Sequence, residues 1–281
     1  MENLMKKEKQ QKNTVKVRLL VFATLALLLI VLSFFSDKLC PMDPYLQDLS
    51  NAKAAPSWAH PLGTDRYGRD MLSRVIVGSR TSIFSTLLLV AFITLFGTVI
   101  GLICGWFGKK IDVICMRIAD LFLAFPGLVF ALAVAAVLGG GLQNAIIALA
   151  AISWPKYARL ARSQTLAQKD LNYINAAKLA GCSDLQIVFR HVIPNIAGPI
   201  LVTAVLDIGT MMMELAGLSF LGLGAKPPIA EWGSMMSETR NLLTTQPWVT
   251  LAPGFAILIS VMIFNLFGDA MRDWLDPKSG R

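Results

Sequence analysis

Long uncharged apolar runs constrain this chain more than any other feature it has. Leu19–Phe35 and about Ser82–Phe107 contain no Asp, Glu, Lys or Arg. A helix of roughly 17 to 25 such residues crosses a bilayer. Inside a bilayer every backbone N–H and C=O must find a partner within the protein, so a span is a helix or part of a closed barrel. Four more runs follow. Ile118–Leu138 carries Asp120 near one end and Pro126-Gly127 inside, and Leu142–Trp154 is short. Ile196–Gly222 contains Asp207 and Glu214, and Trp248–Phe267 leads into a polar tail. The expected fold is therefore an all-α polytopic membrane protein with six transmembrane helices. The mean hydropathy of +0.59 agrees. So does a charged fraction of 16%, against about a quarter in soluble domains.

Charge placement orients the spans. With the N-terminus inside, 18 of the 26 Lys and Arg residues fall in cytoplasmic segments, which predicts both termini in the cytoplasm of a cell (inner) membrane protein. The chain then divides into a basic N-terminus (1–18), a first helix (19–36), an extracytoplasmic segment (37–81), a transmembrane domain (82–271) and a cytoplasmic tail (272–281). A cleaved signal peptide is the competing reading of the first run, but Phe34-Phe35-Ser36-Asp37-Lys38 offers no small-residue cleavage site. The net charge of +8 has no basic–aromatic stripe beside it, so no nucleic-acid partner is expected. Cys40, Cys104, Cys115 and Cys182 lack the spacing of a disulfide framework or zinc site. No P-loop, nucleophile elbow or H-E-x-x-H pattern occurs. The chain is expected to be no enzyme and to bind no cofactor or metal itself.

Between the fourth and fifth spans lies a loop, 156–195, that is too long for a simple connector. Asn175–Ala180 is helix-forming and Gly181 breaks it. Ser183 followed by Gln186 has the pattern of a capping box, opening a second short helix that Pro194 is expected to stop. Within the fifth span Asp207 and Glu214 are seven residues apart, on one helix face with Thr210 and Met211 between them. An ionisable group at that depth costs about 2.5–3.5 kcal/mol on insertion scales and normally faces a cavity or a partner. Asp120 and Arg117 have the i, i+3 spacing of a structural pair. Gly63–Arg80 is polar, glycine-punctuated and outside. It reads as an amphipathic connector on the membrane surface, or as a gate and contact for an external protein.

Ala176-Ala177, then Gly181 after three residues, then Ile193-Pro194 after eleven, resembles the signature loop of binding-protein-dependent ABC importer permeases. Asn175 stands where that family often has Glu, and His191 where it often has Ile. His60–Asp70, Leu218–Gly224 with Glu231-Trp232-Gly233, and Phe264–Asp269 with Arg272-Asp273 are similar to the dipeptide/oligopeptide/nickel branch. The resemblance implies a type I ABC importer permease fold with a cytoplasmic coupling helix. It implies an ATPase-docking loop at Asn175, Ala176, Ala177, Gly181, Ser183, Asp184, Arg190, His191 and Pro194. A translocation pathway would run past Asp207, Thr210, Met211 and Glu214, and Asp65, Arg66, Arg69 and Asp70 would form an extracytoplasmic gate or binding-protein contact. The implied partners are a homologous permease subunit, two ATPase subunits that use ATP and Mg, an extracytoplasmic solute-binding protein and membrane lipid. Leu206–Gly209 with Met211-Met212 looks closer to the nickel permeases, so nickel, free or chelated, is the favoured cargo and di- or oligopeptides the alternative. A secondary transporter using an intramembrane carboxylate as proton relay is the reading from another class.

Overall fold

The structure, a computed structural model, describes residues 2–275, with side chains from residue 13 onward. Asp276, Lys278 and Arg281 of the expected tail lie outside the described residues, as do the side chains of Lys6, Lys7, Lys9 and Lys12. The fold is almost wholly helical. Helix α1 (Glu2–Phe34) lies against the last helix, and the short α2 (Ser36–Leu39) leads into an irregular segment that ends in an isolated bridge between Thr64 and Asp70. The long α3 (Met71–Phe107) follows, about 55 Å at the usual helical rise. Then come α4 (Lys109–Leu123), α5 (Gly127–Val137) and α6 (Leu142–Lys169). The loop helices are α7 (Asn172–Leu179) and α8 (Asp184–Ile187), and α9 (Ile193–Phe220), α10 (Trp232–Thr239) and α11 (Pro247–Leu275) complete the chain.

Four stretches are long and apolar enough to cross a membrane: Asn13–Phe34, Met71–Phe107, Asp184–Phe220 and Pro247–Leu275. A fifth is the pair α4 and α5, bent by 91°. The third expected span is thus broken where it was read as continuous from Ile118 to Leu138. Pro126 has no N–H to give the ladder and disfavours helical geometry at Phe125, so the helix restarts after it. Helix α6 has the length of a span but not the hydropathy, because its apolar half ends at Trp154 and Lys156, Arg159 and Arg162 follow on the same helix. Six crossings remain compatible with this arrangement.

Helices α3 and α6 form the centre of the fold, and glycine decides how closely they approach. Gly97, Gly101 and Gly105 recur every fourth residue along α3, facing Trp154 through Thr165 of α6. A Cβ on Gly101 would lie 2.3 Å from the Ala158 carbonyl oxygen, and one on Gly97 would lie 2.5 Å from that of Trp154. Small residues at this spacing let membrane helices pack backbone to backbone. The opposite edge of α3, with Leu88, Phe92, Leu95 and Val99, is exposed, as a lipid-facing stripe is. The second half of the polar stretch 63–80 is the start of α3, capped by Asp70, whose carboxylate accepts from the Ser73 N–H at 2.8 Å.

Candidate functional site

The loop between α6 and α9 is sharply defined. At the end of α7 the Gly181 N–H donates to the Lys178 carbonyl (3.0 Å) and the Cys182 N–H to that of Ala177 (3.1 Å), which is a Schellman closure. Gly181 adopts φ +84, the left-handed conformation that this closure needs and that glycine reaches without penalty. The expected capping box is formed: Gln186 N–H donates to the Ser183 hydroxyl (3.4 Å) and Ser183 N–H to the Gln186 side chain (2.9 Å). Pro194 does not stop the second helix. A π-turn over Val188–Val192 carries α8 straight into α9, and Pro194 sits in the first turn of α9, where its missing N–H costs nothing.

Burial sorts the loop into two sets. Ile174, Ala177, Ile187 and Val192 are buried and anchor it to the bundle. Asn175, Ala176, Gly181, Ser183, Asp184, Arg190 and Pro194 are exposed, while His191 is half-buried with its ring 6.2 Å from that of Tyr173. Three large apolar side chains join the exposed set: Leu179 at 90%, Leu185 at 65% and Phe189 at 68%. The ammonium groups of Lys169 and Lys178 lie 5.8 and 5.5 Å from the Trp106 ring, tying the loop to the C-terminal end of α3.

Of the two intramembrane carboxylates, Asp207 is buried and saturated. The Lys156 ammonium donates to its Oδ1 at 2.6 Å and the Tyr157 hydroxyl to its Oδ2 at 2.8 Å. Lys156 and Tyr157 hold adjacent places on α6, 51 and 50 residues from Asp207, so no local pattern reveals the cluster. One helical turn along, the Ser153 hydroxyl lies 3.8 Å from the Met211 sulfur. Met212 is buried too and Met213 is exposed, as a run of three on a helix requires. Thr210 is exposed and Glu214 half-buried. Glu214 has no hydrogen-bond or ion-pair partner among the described residues. Asp120 pairs with Arg159 of α6 rather than with Arg117, and Asp112 takes Arg162 (Nη2 to Oδ2, 2.6 Å).

In the segment before α3, Asp65, Arg69 and Asp70 are all buried, and Arg66 is exposed. Asp65 accepts from the Arg69 Nε at 2.6 Å, and Arg69 Nη2 reaches Glu238 of α10 at 2.9 Å. Asp70 meets the His60 ring at 3.0 Å. Glu231 caps α10, accepting from the N–H groups of Gly233 (2.9 Å) and Ser234 (2.8 Å), and the Ser82 hydroxyl of α3 donates to it at 3.3 Å. Gly63–Asp70 and α10 are therefore one buried polar clasp on α3. Sequence reasoning missed Lys156, Tyr157, Glu238 and the capping role of Glu231. It also passed over the small-residue spacing at 97, 101 and 105, which was open to view.

A family model described as the binding-protein-dependent transport system inner membrane component matches residues 97–281. A dipeptide transport system permease protein of Alkalihalophilus pseudofirmus is 44% identical over 229 residues, covering 82% of this chain and 75% of the relative. A glutathione transport system permease protein of Pectobacterium atrosepticum is 42% identical over 254 residues, with 90% and 84% covered. A nickel transport system permease protein of Escherichia coli is 39% identical over 264 residues, with 94% of each covered. Among solved structures, the MetNI methionine ABC transporter in an inward-facing conformation aligns with a TM-score of 0.53 at 20% identity, over 73% of this chain and 98% of that one. At that identity the match speaks for the fold alone.

Proposed function

The chain belongs to the family of binding-protein-dependent transport inner-membrane components, and from that premise we propose how its loop, its pathway and its cargo fit together. It is a multi-pass permease subunit of an ABC importer, and ATP hydrolysis resides in separate ATPase subunits. The observation that carries the docking assignment is Leu179, 90% exposed at the end of α7 on a loop whose other face is anchored by four buried side chains, whereas Leu185 and Phe189 line a groove with Val99, Ile103 and Phe107 of α3. A capped loop that shows a large apolar side chain beside an exposed polar set fits a covering partner. That partner is an ATPase subunit, which binds ATP and Mg while this chain binds neither. A second permease subunit completes the pathway, and the positive-inside bias puts both termini in the cytoplasm. Outside, Arg66 is the exposed member of the clasp and the point of contact for a loaded solute-binding protein.

Gly181→Asp tests the docking loop. It forces a side chain onto a left-handed backbone in open space, so it disturbs the loop's shape without a clash. Insertion into the membrane should be normal while uptake is lost and the loaded binding protein no longer stimulates ATP hydrolysis. Wild-type uptake by this variant would sink the assignment.

For cargo, a short peptide has more support than nickel. Relatives named for dipeptide, di/tripeptide or glutathione transport range from 39% to 44% identical, and those named for nickel stand at 39%. No group of three or more His, Cys, Asp or Glu able to hold a metal ion occurs among the described residues. The acidic residue that suited a cation, Asp207, already has Lys156 as its counter-ion. Uptake of labelled tri-alanine and of labelled nickel in a deletion strain separates the two cargoes.

A further inference from the structure

Helix α9 leaves one strip uncovered by its own chain: Thr210 and Met213 are exposed, Glu214 is half-buried, and a Cβ on Gly217 would meet nothing within 4 Å. Lipid is a poor neighbour for such a strip, because a bare carboxylate at this depth faces a cavity or a partner. The charges that act on Glu214 are Asp207 and Lys156, which already form a pair with each other. Lys156 is not used up by that pair. Its side chain is 55% exposed although Asp207 is buried, and an ammonium has three donors, of which Asp207 takes one. The strip thus offers a free carboxylate at Glu214 and an accessible ammonium beside Asp207. Seven residues of helix separate them along the axis, about 10 Å at the usual rise.

We propose that Glu214 and Lys156 form a binding site for a zwitterionic peptide of two to three residues, Glu214 taking the N-terminal ammonium and Lys156 the C-terminal carboxylate. Length supports this reading, since an extended dipeptide spans at most about 7 Å and a tripeptide about 10 Å, and a hydrogen bond of about 2.8 Å at each end lets either bridge two groups roughly 10 Å apart. Charge supports it as well. A bare cation would find Glu214 alone, whereas a zwitterion satisfies both groups and leaves the Asp207–Lys156 pair intact. The inference rests on the peptide reading of the cargo and names the pathway residues that hold it.

The test uses the complete transporter in its native membrane with labelled tri-alanine as probe. The same binding protein delivers the peptide to every variant, so the ratio of variant to wild type cancels that protein's own selectivity. Glu214→Gln should reach the membrane and co-purify with the ATPase subunits at wild-type level, with tri-alanine uptake lowered about tenfold. Glu214→Asp, which keeps the charge, should recover at least half of the wild-type rate. Uptake by Glu214→Gln within twofold of wild type would overturn the site, as would equal loss in the Gln and Asp variants. Disappearance of both variants from the membrane would assign Glu214 to packing and overturn it too. If wild type imports nickel and no tri-alanine, the peptide reading itself has failed, which is a separate result.

Discussion

Gly101→Ala carries the sharpest structural prediction, because the α3–α6 contact leaves no room for even one carbon. The added Cβ would lie 2.3 Å from the Ala158 carbonyl oxygen, 2.7 Å from the Ala161 Cβ and 2.9 Å from the Arg162 nitrogen. Two of these are backbone atoms of a helix and cannot rotate away. To restore an ordinary separation of about 3.5 Å the helices must part locally by about 1 Å, and a gap of that size forfeits a quarter to a half of each adjacent dispersion contact. Overpacking of this kind costs about 1–3 kcal/mol. The better helix propensity of alanine returns up to about 1 kcal/mol. The net expectation is a loss of about 1–2 kcal/mol.

Gly254 supplies the control, because it lies in α11 where an added Cβ would meet only the flexible end of Met236 at 3.4 Å, an ordinary contact, so Gly254→Ala gains propensity at little steric cost. Thermal unfolding of the detergent-purified transporter, followed by intrinsic fluorescence, is the assay. Gly101→Ala should melt about 2–8 °C below wild type, taking about 2–4 °C per kcal/mol for a chain of this size. Gly254→Ala should melt at or above it. If Gly101→Ala melts as high as Gly254→Ala, the close approach of α3 and α6 does not hold the fold together, and the reasoning fails.

Other perturbations reach the remaining parts. Arg69→Leu leaves Glu238 without its counter-ion and Asp65 with only Arg74, 3.8 Å away, a loss of about 3–5 kcal/mol for a buried pair. Limited proteolysis from outside should then cut the α10 region in this variant and spare it in wild type. Ser183→Ala removes the cap of α8, worth about 1 kcal/mol. Amide exchange over 184–187 should quicken about fivefold, with α3 unchanged. An impermeant maleimide on sealed spheroplasts should label Cys40 and not Cys182, which checks the orientation. Burial, and then the neighbouring Asp37 and Asp70 carboxylates, hold the Cys40 thiol above its usual range. Its thiolate is therefore scarce at pH 7, and the labelling rate should climb as pH rises toward the folded value.

What the sequence disclosed follows from how local each cause is. The runs of α1, α3, α9 and α11 are legible because hydropathy is a property of consecutive residues. The capping box and Gly181 are legible because a cap is written within four residues. Asp65 with Arg69 is an i, i+4 spacing, but Glu238, which completes the clasp, is 169 positions from Arg69. The bend at Pro126 was visible as a residue and invisible as an angle. Lys109, Lys110, Asp112 and Arg117 delay the apolar run of α4 to Ile118, so α4 and α5 read together as one tilted span.

Helix α6 shows why the least apolar span carries the most. Leu142–Trp154 alone is too short to cross, and the helix continues only by taking Lys156, Arg159 and Arg162 along with it. Each of those cations is met by an aspartate on another helix: Asp207 of α9, then Asp120 and Asp112 of α4. Hydropathy scores such residues as reasons against a span, because it sees the charge and not the counter-charge. The same three pairs fasten α6 to α4 and α9 on one side, while the glycines of α3 hold it on the other. Helix α6 runs from Leu142 to Lys169, within a few residues of α7 at Asn172. A displacement of α7 that carried α6 along its axis would break all three pairs unless α4 and α9 moved with it. Such a movement would also shift Lys156, where we place the carboxylate end of the cargo.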